Sequence, residues 1–198
     1  PTYDPNPFVN GIDQDSYIAL LNEPDKPLIN RALNGVYAPG STIKAFLGLA
    51  ALERNDFGAG KAVACPGWFT LPGSSHQFRD WKKAGHGIMN LHDAVVQSCD
   101  VYFYKLAVAM EVDAIKKFLE PFGFGAKTGV DLLGESEGLL PSVAWKKARG
   151  QPWYPGETVI TGIGQGSVLV TPLQLATATA VLANHGVRLK PRLVRTTV

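Results

Sequence analysis

The sequence predicts a mixed α/β chain made mainly of helices and long loops, with little sheet. Three observations lead there. Apolar residues recur at helical spacing in several segments, at 41–54, 90–98, 101–110, 112–119 and 171–184. The 21 glycines and 14 prolines gather in long irregular stretches between them. Only one run, 158–163, reads as extended or strand-like. A chain of 198 residues with 45% hydrophobic residues is enough for one domain with a real core. Its net charge of +2 is too small to argue for nucleic acid or a membrane surface as partner. No window holds the apolar run of a membrane-spanning helix, and none is expected to be a signal peptide. The opening Pro1-Thr2-Tyr3-Asp4-Pro5 reads as an internal segment.

Taken in order, residues 1–14 are expected as loop, because prolines, asparagines and Gly11 break any regular pattern. Residues 15–22 form a short helix with Tyr17, Ile18 and Leu21 as its apolar residues. The turn pair Pro39-Gly40 then opens a helix with Ser41 as N-cap. Ile43, Phe46, Leu47, Ala50 and Ala51 make its buried face to about Arg54, and the glycines at 58 and 60 end it. Residues 61–90 are read as a long loop insert, the kind of segment that is functional or tied down. Asn90 caps a helix running to Ser98, 101–110 is apolar enough for a buried helix, and 112–119 is amphipathic and stopped by Pro121. Residues 121–158 are irregular apart from a short helix at 142–148. The last helix starts at Thr171-Pro172, runs to Asn184 and ends at His185-Gly186.

Chemistry concentrates at Ser41 and Lys44, three residues apart on one helical face. A serine hydroxyl is a weak nucleophile that needs a base within reach, and a neighbouring lysine can be that base. The helix N-terminus adds N–H groups and partial positive charge that favour an oxyanion. The bare Ser-x-x-Lys pattern equally describes an ordinary capped helix. Ser98-Cys99-Asp100 follows at a helix end, where Ser98 could likewise be no more than a cap residue. Four further residues are of metal-ligating type: Cys65 and Cys99 flank the insert, and Asp80 and His86 lie inside it. Zinc would staple a long loop with little regular structure. A Cys65–Cys99 disulfide, separate buried thiols, and His86 as a plain loop residue remain open beside it.

The stretch Gly35-Val36-Tyr37-Ala38-Pro39-Gly40-Ser41-Thr42-Ile43-Lys44 resembles the nucleophile segment of class B penicillin-binding proteins, serine transpeptidases that cross-link peptidoglycan. The resemblance implies the serine D,D-transpeptidase/β-lactamase-like fold. Residues 1–198 would be a partial transpeptidase domain carrying mainly its helical part, with most sheet strands outside the chain. Ser41 would be the nucleophile, Lys44 its base and Ser98 a proton relay to the leaving amine. Asp100 stands where the family has Asn; it would be substrate-binding, but a carboxylate lacks the amide's donors. Lys127-Thr128-Gly129 has the letters of the third motif, yet it precedes Val130-Asp131-Leu132 and Gly164-Gln165-Gly166, segments that lie upstream of that motif in the family. It is therefore read as a decoy, and the genuine motif is expected beyond Val198.

The closest resemblance lies between Pro66 and Tyr104, where Arg79-Asp80-Trp81-Lys82-Lys83 and Gly85-His86-Gly87 resemble the elongation-type branch of the family. This implies work on peptidoglycan stem peptides during lateral wall growth, and acylation by β-lactams. It also implies a periplasmic location on an N-terminal transmembrane anchor outside this chain, with a SEDS-type glycosyltransferase and elongation-complex proteins as partners. Relatives of this branch carry a metal beside the second motif, which favours structural zinc on Cys65, Asp80, His86 and Cys99. A β-lactam sensor, a serine β-lactamase or an inert truncated piece are the other readings.

Overall fold

The computed structural model describes residues 2–54 and 56–195. Its helices are α1 (Gln14–Asn22), α2 (Arg31–Asn34), α3 (Lys44–Leu52), α4 (Leu91–Val96), α5 (Asp100–Met110), α6 (Val112–Leu119), α7 (Val143–Lys147), α8 (Pro155–Thr161) and α9 (Pro172–Ala183). The core forms around α5, whose Val101, Tyr102, Phe103, Leu106 and Ala107 are buried. Full burial of the larger of these, Val101, Phe103 and Leu106, contributes roughly 1.5–3 kcal/mol each. On one side α3 brings Phe46 edge-on to Phe122 and Phe124, at centroid distances of 5.2 and 5.0 Å. On another, α8 lies close against α5: a side chain at Gly162 would meet the Phe103 carbonyl at 2.6 Å. The amphipathic α6 closes the bundle with Val112, Ile115 and Leu119.

Capping explains where several helices start. Asn90 accepts the Asp93 N–H at 2.8 Å and Ser142 the Trp145 N–H at 3.0 Å. Thr171 and Gln174 satisfy each other's backbone N–H groups at 3.0 and 2.8 Å. α9 ends as expected, with His185 and Gly186 both at positive φ. α1 lies on the surface, and its Tyr17, Ile18 and Leu21 are exposed. No described helix is long and apolar enough to cross a membrane.

Three expectations are corrected. Ser41 is not a helix cap. It lies inside a 3₁₀ turn, Gly40–Ile43, which feeds α3, and its hydroxyl is engaged elsewhere. Residues 158–163 are not extended, because α8 covers 155–161. Pro155 fixes the first helical turn, and the Glu157 side chain takes the Tyr154 N–H at 3.0 Å. The β-branched residues that mimic a strand instead bury Thr158, Val159 and Thr161 along the α8 face. The 61–90 insert is also more regular than a loop. Strand β1 (Val63–Cys65) pairs antiparallel with β4 (Gly87–Met89), Cys65 opposite Gly87, and β2 (Trp68–Phe69) pairs with β3 (Phe78–Arg79). These are the named sheets among the described residues; two isolated bridges, Tyr37–Val170 and Leu139–Leu169, lie elsewhere, outside the strands.

Backbone contacts pin the nucleophile turn. Tyr37 and Val170 exchange hydrogen bonds at 2.9 and 2.8 Å, and the Gly40 N–H donates to Gly164 O at 2.9 Å. Gly164 is at φ +68°, and any side chain there would lie 2.4 Å from the Gly40 carbonyl. Only glycine allows that approach.

Candidate active site and adjoining metal-ligand cluster

The 3₁₀ turn presents Ser41 at the start of α3, where the first N–H groups of a helix have no intrahelical acceptor. α4 ends just before Ser98, and α5 begins at Asp100. The three hydroxyl and amine groups line up: Ser98 Oγ lies 3.0 Å from Ser41 Oγ and 3.1 Å from Lys44 Nζ. Among the described residues no hydrogen bond joins Lys44 to Ser41 directly. The path between them runs through Ser98.

Lys44 is 2% exposed. Its Nζ reaches the Ser98 carbonyl at 2.9 Å and Asp100 Oδ1 at 2.5 Å, and stands 5.4 Å from the centre of the Phe103 ring. Asp100, expected to face substrate, turns one oxygen to Lys44 and takes the Trp81 N–H on the other at 3.0 Å. It still lines an open pocket of about 420 Å³ with Ser41, Ser98, Trp81, Ile163 and Gln165. Ser98 has φ +52°, in the left-handed region that side chains rarely adopt. Its carbonyl is held there by Lys44 and by the Trp81 indole N–H at 3.2 Å. Strain retained at a spot so tied down points to function.

Trp81, Ile163 and Gln165 were not among the expected site residues. Trp81 had one signal, its place next to Asp80, and Gln165 another, its place in the Gly164-Gln165-Gly166 segment; Ile163 reaches the pocket through tertiary packing after α8 and had none. Lys127-Thr128-Gly129 forms no strand and does not line the Ser41 pocket. The buried Glu135 carboxylate instead accepts the Thr128 N–H and hydroxyl and the Gly129 N–H, at 2.7, 2.6 and 3.0 Å. Burial works against that charge, but these donors hold Glu135 below its ordinary range. A larger apolar hollow of about 560 Å³, lined in part by Leu49, Met110, Phe118 and Phe122, holds no such arrangement of reactive groups.

Directly behind Ser98 the structure brings together Cys65, Asp80, His86 and Cys99, with one ligand atom from each within 4.8 Å of the others. Cys65 and Cys99 Sγ lie 3.4 and 3.5 Å from Asp80 Oδ2. His86 Nδ1 is 3.5 Å from Cys65 Sγ and 3.4 Å from Asp80 Oδ1. Tetrahedral bonds of ~2.3 Å to sulfur and ~2.0–2.1 Å to nitrogen or oxygen span edges of roughly 3.3–3.8 Å, and the four separations just given fall in that range, the cysteines meeting one Asp80 oxygen and His86 the other. The donor set fits as well, and the other imidazole nitrogen, Nε2, is buried without a partner among the described residues. Both cysteines are free thiols in the structure. Burial pushes the Cys99 thiol up, and the Cys65 thiol and Asp80 carboxylate beside it add to the rise. Burial also opposes the charge on Asp80, yet the Lys82 and Val101 N–H groups, Cys65 and His86 together hold it below the usual carboxylate range. The cluster is tied to the reactive serines through Cys99, which sits between Ser98 and Asp100, and through Val101, whose N–H donates to Asp80 at 3.1 Å.

Comparison with known proteins agrees with this geometry. Residues 1–198 match the family described as "Penicillin binding protein transpeptidase domain". The chain is 50% identical over its whole length to the peptidoglycan D,D-transpeptidase MrdA of Acinetobacter baumannii, covering 30% of that protein. The crystal structure of Pseudomonas aeruginosa PBP2 in complex with WCK 5153 superimposes with a TM-score of 0.95 at 46% identity, over 99% of this chain and 45% of that one. A complex of Helicobacter pylori PBP2 with MreC aligns with a TM-score of 0.89 at 42% identity, over 96% of this chain and 36% of that one. The chain thus spans about a third of the length of the curated relatives it matches. It belongs to the penicillin-binding protein transpeptidase domain family.

Proposed function

We propose that this chain carries the acylation centre of a peptidoglycan D,D-transpeptidase of lateral wall growth, the centre that β-lactams also acylate. The observation that carries the reading is the chain of contacts from Ser41 Oγ through Ser98 Oγ to Lys44 Nζ, at 3.0 and 3.1 Å. In the structure Lys44 Nζ donates to the Ser98 carbonyl, Ser98 Oγ and Asp100 Oδ1, and Ser98 Oγ donates to Ser41 Oγ. To act as base the amine must first give up one proton, keep its N–H groups on the Ser98 carbonyl and Asp100, and turn its lone pair to the Ser98 hydroxyl. Ser98 in turn accepts the proton of Ser41. Ser41 Oγ attacks the carbonyl of the D-Ala-D-Ala bond, and its proton passes through Ser98 to Lys44. Asp100 then faces the positive charge on Lys44, and the Ser41 N–H, in the turn that opens α3, would donate to the oxyanion. As the C–N bond breaks, the proton returns along the same path to the departing D-Ala amine, leaving the acyl ester on Ser41. The amine of a second stem peptide attacks that ester, gives up its proton by the same route, and frees Ser41.

Cys65, Asp80, His86 and Cys99 would hold a structural zinc, with four protein ligands and no open position. When bound, zinc supplies a cross-link between the insert and the backbone of Cys99. The reading also includes a periplasmic location on a membrane anchor outside this chain, supported by the elongation-type resemblance. It further includes elongation-complex partners, a SEDS-type glycosyltransferase among them. The Helicobacter pylori relative bound to MreC supports such partners.

The test is transfer. The full-length protein is incubated with a donor peptide ending in D-Ala-D-Ala and a labelled D-amino acid as acceptor. Release of D-Ala with formation of the new amide, both lost in Ser41→Ala, is the expected result. Hydrolysis of a β-lactam with no transfer would assign a β-lactamase instead, and a persistent adduct with no turnover a sensor.

A further inference from the structure

We infer that Trp81 is a positioning residue for the acylation step, acting through Ser98; this rests on the proposed function. The residue is 63% exposed, so packing does not explain a tryptophan there. Its polar groups nevertheless point inward. The main-chain N–H donates to Asp100 Oδ2 at 3.0 Å, and the indole N–H is shared between the carbonyls of Gln97 and Ser98, at 3.1 and 3.2 Å. Both carbonyls belong to the turn in which Ser98 holds φ +52°. One edge of the indole meets His86 at a centroid distance of 5.4 Å and an interplanar angle of 64°. The rest of the ring lines the pocket beside Ser41.

Trp81 therefore spans the space between the four-residue cluster and the second motif. Asp80, its chain neighbour, is fixed by the Lys82 and Val101 N–H groups at 3.0 and 3.1 Å, which sets where residue 81 can lie. Without the indole N–H, the Ser98 carbonyl keeps only Lys44 as donor among the described residues. The turn is then freer to relax toward negative φ, and any such relaxation moves Ser98 Oγ away from both Ser41 and Lys44. The main-chain N–H to Asp100 does not depend on the side chain, so the indole contribution can be removed alone.

The experiment replaces Trp81 in the full-length protein with benzothienylalanine, which keeps the ring shape and exchanges N–H for sulfur, and separately makes Trp81→Phe. Stopped-flow acylation by a fluorescent penicillin separates the non-covalent binding constant from the acylation rate constant. One shared hydrogen bond predicts a roughly fivefold slower acylation in the benzothienylalanine protein. Binding constant, melting temperature and metal content should not change, and Trp81→Phe should slow the same step. An unchanged acylation rate overturns the assignment. So does a drop in both constants together with the melting temperature, since that is what a purely structural side chain gives. If the unsubstituted protein forms no Ser41 adduct at all, the proposed function fails, and this inference with it.

Discussion

Ser98 can be separated from its own backbone by two substitutions. Ser98→Ala and Ser98→Gly both remove the Oγ that stands 3.0 Å from Ser41 and 3.1 Å from Lys44. Among the described residues Ser41 has no other hydrogen-bonded route to Lys44, so each variant loses the whole proton path. A positioned acid–base group contributes typically ~10²–10⁴ in rate. That corresponds to about 2.7–5.5 kcal/mol of barrier. Both variants should therefore acylate two to four orders of magnitude more slowly, on the order of the full relay contribution. Their stabilities should part. Ser98 sits at φ +52°. A non-glycine residue in that region costs about 1–2 kcal/mol, which alanine keeps and glycine relieves. Ser98→Gly should melt above Ser98→Ala by about 2–8 °C, at roughly 2–4 °C per kcal/mol for a chain of this size. Acylation is followed with a fluorescent penicillin and melting by calorimetry. Acylation of Ser98→Gly within tenfold of the native rate would refute the relay; equal melting of the two variants would refute the backbone argument.

Other outcomes follow from the same structure. Gly164→Ala should destabilise by about 2–4 kcal/mol and slow acylation, because φ +68° and a Cβ 2.4 Å from the Gly40 carbonyl force the nucleophile turn to move; native melting and activity would contradict this. Elemental analysis should find about one zinc per chain, as a closed four-ligand site requires, reduced in His86→Ala and Cys99→Ser; metal-free protein with a Cys65–Cys99 disulfide would contradict it. Folding lowers the Glu135 pKa from its ordinary glutamate range, so its stabilisation is present above the unfolded pKa and lost as pH falls through the folded one. Glu135→Gln should flatten the acid limb of the melting curve and cost about 1–3 kcal/mol near neutral pH, since an amide N–H₂ cannot accept the Gly129 N–H; an unchanged acid limb would count against the Glu135 clamp.

Much of the helical layout was legible because its signals are local. Asn90, Ser142 and the Thr171–Gln174 pair announce helix starts within four residues of themselves. The motif order Ser41, Lys44, Ser98 and the set Cys65, Asp80, His86, Cys99 were legible as residue types. What escaped the sequence was tertiary. Strand β1 finds its partner only at β4, across the whole insert, so three residues of alternation gave no pattern to read. Residues 158–161 carry β-branched side chains, and it is the α5 surface that makes them helical. That Lys44 meets Ser41 through Ser98, and that Asp100 turns to Lys44, depend on how α3 and α5 pack, which no spacing encodes.

The central claim is that Ser41, fed through Ser98 by Lys44, is the residue that becomes acylated. The most direct measurement is peptide mapping by mass spectrometry after brief exposure of the full-length protein to benzylpenicillin. A single penicilloyl ester on the peptide containing Ser41, absent from Ser41→Ala, is the predicted result. An ester on Ser98, or undiminished labelling of Ser41→Ala, would contradict the account.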